Sequence, residues 1–344
     1  MVSRRRWREN VKDHLIGLIC GASAGFFYAL GNCFVQYIYR KNPYLDLSEF
    51  QIIFVRSCVQ LLLIVVLLAW KRINPWGGSW PNFGLLWLMG FAKICSIVFF
   101  YGSLSGLPLG DATVILFTAP VFTIFLSILF LKESCSLCNI ILGLFSFVGV
   151  VIIAAPGMFF PSPGKSHQHK QSSHYHSKHA LLPKHNITSI HSHSVIIDSN
   201  KMKSVGFGLC AAVALAFHMI ILKINTKSVD YKVALLYPSL YGVIFSPLFM
   251  IAEHHDIVLF HDLDPLYWVL MICSGFFYFI GMMLLAYALL KENAGPVALV
   301  RNSEVIFAFV FEILIEGQMP MMFSIVGVVL ILWTTSMGLP QGLA

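Results

Sequence analysis

Charge is the scarce ingredient of this chain. Only 11% of its 344 residues are Asp, Glu, Lys or Arg, while 58% are hydrophobic, against roughly 25% and 45–50% in soluble domains. A water-soluble fold is excluded, because so little polar surface cannot cover so much apolar side chain. Patterned cysteine is missing as well. The eight are Cys20, Cys33, Cys58, Cys95, Cys135, Cys138, Cys210 and Cys273. Most lie inside apolar runs, and a lone Cys135-x-x-Cys138 has no partner pair, so neither a disulfide framework nor a zinc knuckle is encoded. There is no H-E-x-x-H, G-x-S-x-G or P-loop, which removes the common hydrolase and nucleotide-dependent readings. No cofactor fingerprint replaces them. Nor does any run interleave basic residues with aromatics, so nucleic acid is not an expected partner.

What is abundant is long apolar sequence. Runs fall near 15–38, 50–70, 84–106, 112–131, 137–156, 205–224, 234–252, 266–290, 294–315 and 321–338, each close to the roughly 20 residues a bilayer-spanning helix needs. Trp70, Trp87, Trp268 and Trp333 stand near run ends, where an amphipathic indole suits the headgroup layer. The expectation is an all-α membrane protein of ten transmembrane helices. "ASA" at 22–24 could pass for a signal-peptidase site, but the apolar run continues to Tyr39, so the first run is read as a spanning helix.

An even helix count puts both termini on one side. With the N-terminus cytoplasmic, the inner segments hold Arg4, Arg5, Arg6, Arg8, Lys12, Lys71, Arg72, Lys132, Lys223, Lys227, Lys232 and Lys291, twelve against eight outside. That bias favours cytoplasmic termini in a multi-pass protein of the plasma membrane or the endoplasmic reticulum and Golgi. The domain reading is a basic N-terminus 1–13, a five-helix unit 14–156, a histidine-rich loop 157–203 expected to be disordered, a second five-helix unit 204–338 and a tail 339–344.

The loop carries eight of the thirteen histidines, with His-x-His at His167/His169, His174/His176 and His191/His193. Neutral imidazoles at that spacing chelate divalent metals, while the same composition also serves as a polar tether. Both readings stay open. Asn186-Ile187-Thr188 is a glycosylation sequon, placed outside by the topology.

The two halves echo each other. "LPLGDATVILFTAPVFTIFLSILFLKE" (107–133) and "ENAGPVALVRNSEVIFAFVFEILIEG" (292–317) both open on a Gly/Pro turn, cross with phenylalanines and small residues, and end near a glutamate. A five-helix repeat must be inverted in the bilayer, as in many secondary transporters. These two segments resemble the fourth and ninth helices of the drug/metabolite transporter superfamily, EamA type, and most closely group G of solute carrier family 35. "EFQIIFVRS" around Arg56 adds to the likeness, which covers about residues 15–338. The resemblance implies two inverted five-helix repeats and carriage of a small metabolite by alternating access. It names no substrate, and the histidine-rich loop lies outside its pattern.

Ionisable residues inside apolar runs mark candidate sites, since each costs at least about 2.5–3.5 kcal/mol at mid-membrane on insertion scales. In the ninth run, taking Arg301 as zero, Glu304, Glu312 and Glu316 fall at about −60°, +20° and +60° around a continuous helix, one polar face opposite the phenylalanines. Arg301 and Glu304, one turn apart, are expected to pair. Arg56, Lys93 and His218 complete the set, and Tyr28, Asn32 and Gln36 form a four-residue stripe on the first helix beside the small-residue run Gly17, Gly21, Gly25. Arg301, Glu304, Arg56, Lys93, Asn32 and Tyr28 are the candidate substrate-binding residues, with Glu304 the coupling group. Arg56, Lys93 and Arg301 either form a cationic cavity for an organic anion or neutralise Glu304, Glu312 and Asp111 in structural pairs. His218 is a path residue or a packing group. Pro120 removes a backbone donor in mid-run and is expected to kink or hinge the fourth helix, freeing the Leu116 carbonyl.

Three function classes follow. The first is a secondary transporter of a small polar, anionic solute, with the bilayer, the solute and protons as partners and with a homo-oligomer left open. The second is a divalent-metal carrier or membrane regulator built on the histidine loop. The third is a membrane-embedded enzyme, whose only support is the Asp-x-Asp of "HDLDP" (261–265). There, Asp264-Pro265 reads better as a helix N-cap followed by a first-turn proline.

Overall fold

A computed structural model of the chain describes residues 2–41, 47–104, 107, 109–133, 190–252 and 264–316, with parts of 141–149 and single positions between 326 and 333. The described elements are helices: α1 (Val2–Lys41), α2 (Glu49–Lys71), α3 (Trp80–Leu104), α4 (Leu109–Leu116), α5 (Ala119–Leu126), α6 (Ile190–Ser228), α7 (Tyr231–Ala252), α8 (Pro265–Lys291), α9 (Ala294–Arg301) and α10 (Ser303–Glu316). Six of them, α1, α2, α3, α6, α7 and α8, contain apolar stretches long enough to cross a membrane. The chain is a multi-pass, all-helical membrane protein.

Two expected spans are not single helices. The fourth is α4, a turn at Phe117–Thr118, then α5 running into a wide turn at Ser127–Leu131 that Lys132 ends in the left-handed region at φ 53°. The ninth is α9 and α10, parted at Asn302. The two breaks share one backbone geometry. Thr118 has φ/ψ −73/−12° and Asn302 −60/−13°. Thr118 N–H donates to Ile115 O at 3.0 Å and Val121 N–H to Thr118 O at 3.0 Å. Asn302 N–H donates to Leu299 O and Val305 N–H to Asn302 O, both at 3.1 Å. Pro120 therefore does not bend a continuous helix from its middle. It stands in the first turn of α5, where its missing donor is harmless. The break falls between Arg301 and Glu304 of the four charges on the ninth segment. The Glu312 and Glu316 side chains, like that of Asp111, lie outside the described set.

Helix ends follow local chemistry. Ser48 opens α2 with a reciprocal cap: Ser48 N–H donates to Gln51 Oε1 at 3.0 Å and Phe50 N–H to Ser48 Oγ at 3.3 Å. Asp264 occupies the N-cap of α8 with Pro265 behind it, but its carboxylate makes no capping bond. Helix α6 begins at Ile190, inside the range 157–203 that the sequence assigns to loop. Residues 157–189 of that loop, Asn186, the C-x-x-C and most of the fifth and tenth runs lie outside the described residues.

Packing is reciprocal between the halves. The α1–α8 contact is matched by α6–α3, α2–α8 by α7–α3, and α1 against α9–α10 by α6 against α4–α5, while α2 meets α7 across the middle. Close approach depends on glycine. A Cβ on Gly25 would lie 3.0 Å from Glu304 N and Ser303 Oγ, and one on Gly281 would lie 3.0 Å from the Tyr28 ring. These contacts bring α1, α8 and the α9–α10 junction together at the candidate site.

Candidate functional site

The site forms where the α9–α10 break meets α1, α2, α3 and α8. Arg301 is the last residue of α9 and Glu304 lies in the first turn of α10. The break keeps the two within one turn, and Arg301 Nε stands 3.8 Å from Glu304 Oε2, an ion pair rather than a tight hydrogen bond. The other carboxylate oxygen accepts from Asn32 Nδ2 at 3.3 Å. Glu304 is buried at 9% exposure, and among the described residues its Oε2 finds no hydrogen-bond donor.

Two tyrosine rings, packed at a tilt of 56°, lie against two of the cations. Tyr28 on α1 and Tyr278 on α8 have ring centroids 4.5 Å apart. The Arg56 guanidinium lies 4.1 Å from the Tyr278 centroid and that of Arg301 5.5 Å from the Tyr28 centroid, inside cation–π range. Lys93 on α3 and Arg56 both act electrostatically on Glu304 and Tyr278. Three cations thus act on one carboxylate, leaving two formal positive charges in excess. The structure brings together Arg301, Glu304, Arg56, Lys93, Asn32 and Tyr28. It adds Tyr278, which the sequence does not single out because it is one aromatic among many on α8.

Asn32, although bonded to buried Glu304, is itself exposed, as is Gln36 one turn further along α1, while Arg56, Lys93 and Arg301 are half-buried. The cluster therefore has an exposed flank on the later half of α1. Toward the end at which α1 begins, the largest core cluster fills the bundle, running through Ala24, Met89, Ile220, Leu235 and Leu285.

That closed end is tied by polar contacts. Lys223 Nζ donates to Leu289 O at 2.6 Å and Glu292 O at 2.5 Å, capping the last carbonyls of α8. Buried His14 pairs with the Glu292 carboxylate, Glu133 Oε2 accepts from Ala294 N–H at 3.1 Å at the start of α9, and Lys291 meets Asp13 at 2.9 Å. Sequence reasoning missed this group, because Lys223 and Lys291 read as topology-setting lysines rather than as partners of other helix ends. Among the described residues, no three His, Cys, Asp or Glu side chains gather as a metal site.

Comparison with known proteins agrees with this architecture. The EamA-like transporter family matches residues 15–155 and 202–337. Solute carrier family 35 member G1 of Homo sapiens is 25% identical over 91% of this chain and 75% of its own length, and its Mus musculus counterpart is 26% identical over 93% and 77%. A probable transport protein of Saccharomyces cerevisiae is 26% identical over 84% of this chain and 77% of its own. A solved crystal structure shares the fold at TM-score 0.65 with 10% identity, covering 93% of this chain and 95% of that one.

Proposed function

The chain belongs to the EamA-like transporter family, and from that premise we propose that it is a secondary transporter carrying a small polar, anionic metabolite by alternating access through the central cavity. The family is one of transporters, which decides against the membrane-embedded enzyme. One observation carries the choice of an anion: Arg56 and Arg301 lie against the neighbouring Tyr278 and Tyr28 rings beside Glu304, and with Lys93 they act on that one carboxylate at a half-buried site. Structural pairing needs one cation for Glu304, not three. A guanidinium fork binds carboxylate or phosphate through two parallel hydrogen bonds, and the tyrosine rings hold two such forks side by side.

The two matched stretches, the reciprocal helix contacts and the paired breaks support a ten-span chain of two inverted five-helix repeats. In that arrangement the termini are cytoplasmic, the exposed flank of the site faces the lumen or the cell exterior, and Glu304 couples proton to solute movement. Pro120 and its neighbouring break act as a hinge of the fourth segment.

The test is uptake into proteoliposomes of purified protein, with labelled carboxylates, phosphates, nucleotides and nucleotide sugars presented beside organic cations and uncharged sugars. Saturable uptake of one anion, competed by its chemical relatives and not by the cations, is expected. Preference for a cation or an uncharged sugar would reject the reading.

A further inference from the structure

Below Tyr28, on the closed side, lies a small cavity of about 10 Å³, room for about one water. Its wall is almost wholly apolar, with Met89, Leu235 and Met282 among its residues; among the described lining residues, His218 and Tyr28 alone bring polar side-chain groups. Leu222, one turn further along α6, also lines it, as do residues near the start of α7 and the end of α8. All of these lie toward the end at which α1 begins. Tyr28 is therefore a partition. One side meets the half-buried cations, and the other meets this cavity.

His218 is the counterpart of Tyr28 in the second half. "CGASAGFFY" (20–28) and "CAAVALAFH" (210–218) align without a gap, and 218 − 28 equals 210 − 20, both 190. The surroundings match too. Tyr28 on α1 packs against α8 through Tyr278, and His218 on α6 packs against α3 through the Met89 carbonyl, 3.2 Å from its Nδ1. A carbonyl can only accept, so Nδ1 carries the hydrogen and, in the neutral ring, Nε2 keeps its lone pair. Lys93 and Arg301 both act electrostatically on the imidazole. A solute leaving those cations toward the closed side meets His218 as its next polar group.

Resting on the transporter reading, we propose that His218 lines the solute path in its inward-open half, as Tyr28 does in the half that is open here, and offers Nε2 to a hydroxyl or acid proton of the passing anion. A packing histidine would stay out of water in every conformation. A path residue becomes wet when the inner end parts.

The experiment uses full-length protein whose eight native cysteines are replaced, reconstituted in vesicles of known orientation and probed with a membrane-impermeant anionic methanethiosulfonate. Asn32→Cys reports on the open vestibule and is expected to react from the side at which α1 finishes. His218→Cys is expected to react at least tenfold faster from the opposite side, and Leu222→Cys, a second probe of the same cavity, to behave alike. Failure of both folded cavity variants to react from that side, with Asn32→Cys reacting normally, overturns the assignment and makes His218 a packing residue. Failure of Asn32→Cys instead strikes the vestibule, and with it the transporter site, which keeps the two failures apart.

Discussion

Thr118 and Asn302 occupy the same place in the two halves of the chain. Each closes a one-turn break in the middle of an apolar segment, with φ/ψ of −73/−12° and −60/−13°. They are 302 − 118 = 184 residues apart, and the same offset carries Ile115 to Leu299 and Val121 to Val305, their hydrogen-bond partners. It also carries Pro120 to Glu304. One copy of the break thus bears a residue that cannot donate a backbone hydrogen bond, and the other bears the buried carboxylate.

A hinge at the first break predicts that Pro120→Ala slows turnover without weakening binding. The alanine regains an N–H able to close the helix onto Leu116 O, stiffening the α4–α5 junction, and lid or hinge motions set many turnover rates. A severalfold fall in maximal uptake rate with unchanged half-saturation is expected. Unchanged turnover would show that the break is a fixed bend.

Packing at the closed end distinguishes neighbouring glycines. A Cβ on Gly17 would lie 2.5 Å from Glu292 Cβ and 3.3 Å from Ala288 O, whereas one on Gly21 finds nothing nearer than 3.8 Å. Gly17→Ala should cost about 1–3 kcal/mol, the usual cost of overpacking, seen as a lower melting temperature in detergent. Gly21→Ala should melt within a degree or two of the parent. Equal melting of the two variants would contradict the α1–α8 contact described here.

The long runs were legible because length and hydropathy are local properties, and so were the Arg301–Glu304 pair and the Tyr28–Asn32 stripe, which follow from helical spacing of three and four residues. The breaks were not. "VRNSEV" around Asn302 contains neither glycine nor proline, and that interruption sits where Gly25 lets the α1 backbone press against the junction, a tertiary relation with no local signature. Pro120 gave a true signal of interruption but the wrong geometry, since a proline serves the start of a helix as well as a kink. Lys223 and Glu292 were opaque for a similar reason: segment ends rich in charge look solvated until the fold closes over them.

Topology is tested at Asn186. With the termini cytoplasmic, the sequon at 186–188 faces the lumen or exterior, so the protein expressed in a eukaryotic cell should lose a glycan-dependent gel shift in Asn186→Gln. Protease accessibility of this loop from the cytosol would reverse the orientation.

Proton coupling is tested at Glu304. The carboxylate is buried, bonded to Asn32 and held to Arg301 at 3.8 Å. An anion that engages the cation cluster and draws Arg301 away weakens the positive field on the carboxylate, and burial then favours its taking up a proton. Glu304→Gln should keep solute exchange but lose the response of net uptake to an imposed pH gradient. If uptake by the parent ignores the gradient while Glu304→Gln weakens binding at every pH, Glu304 only positions Arg301 and the carrier is not proton-coupled.

The most direct measurement of the account is uptake of the preferred anion by Arg301 variants at matched amounts of protein in the membrane. Arg301 ends α9 beside the break, stacked toward Tyr28 and paired with Glu304. Arg301→Ala should reduce uptake at least a hundredfold, and Arg301→Lys should restore only part of it, because lysine keeps the charge and loses the two-pronged fork. Uptake by Arg301→Ala within twofold of the parent would contradict the claim that this cation cluster binds the transported solute.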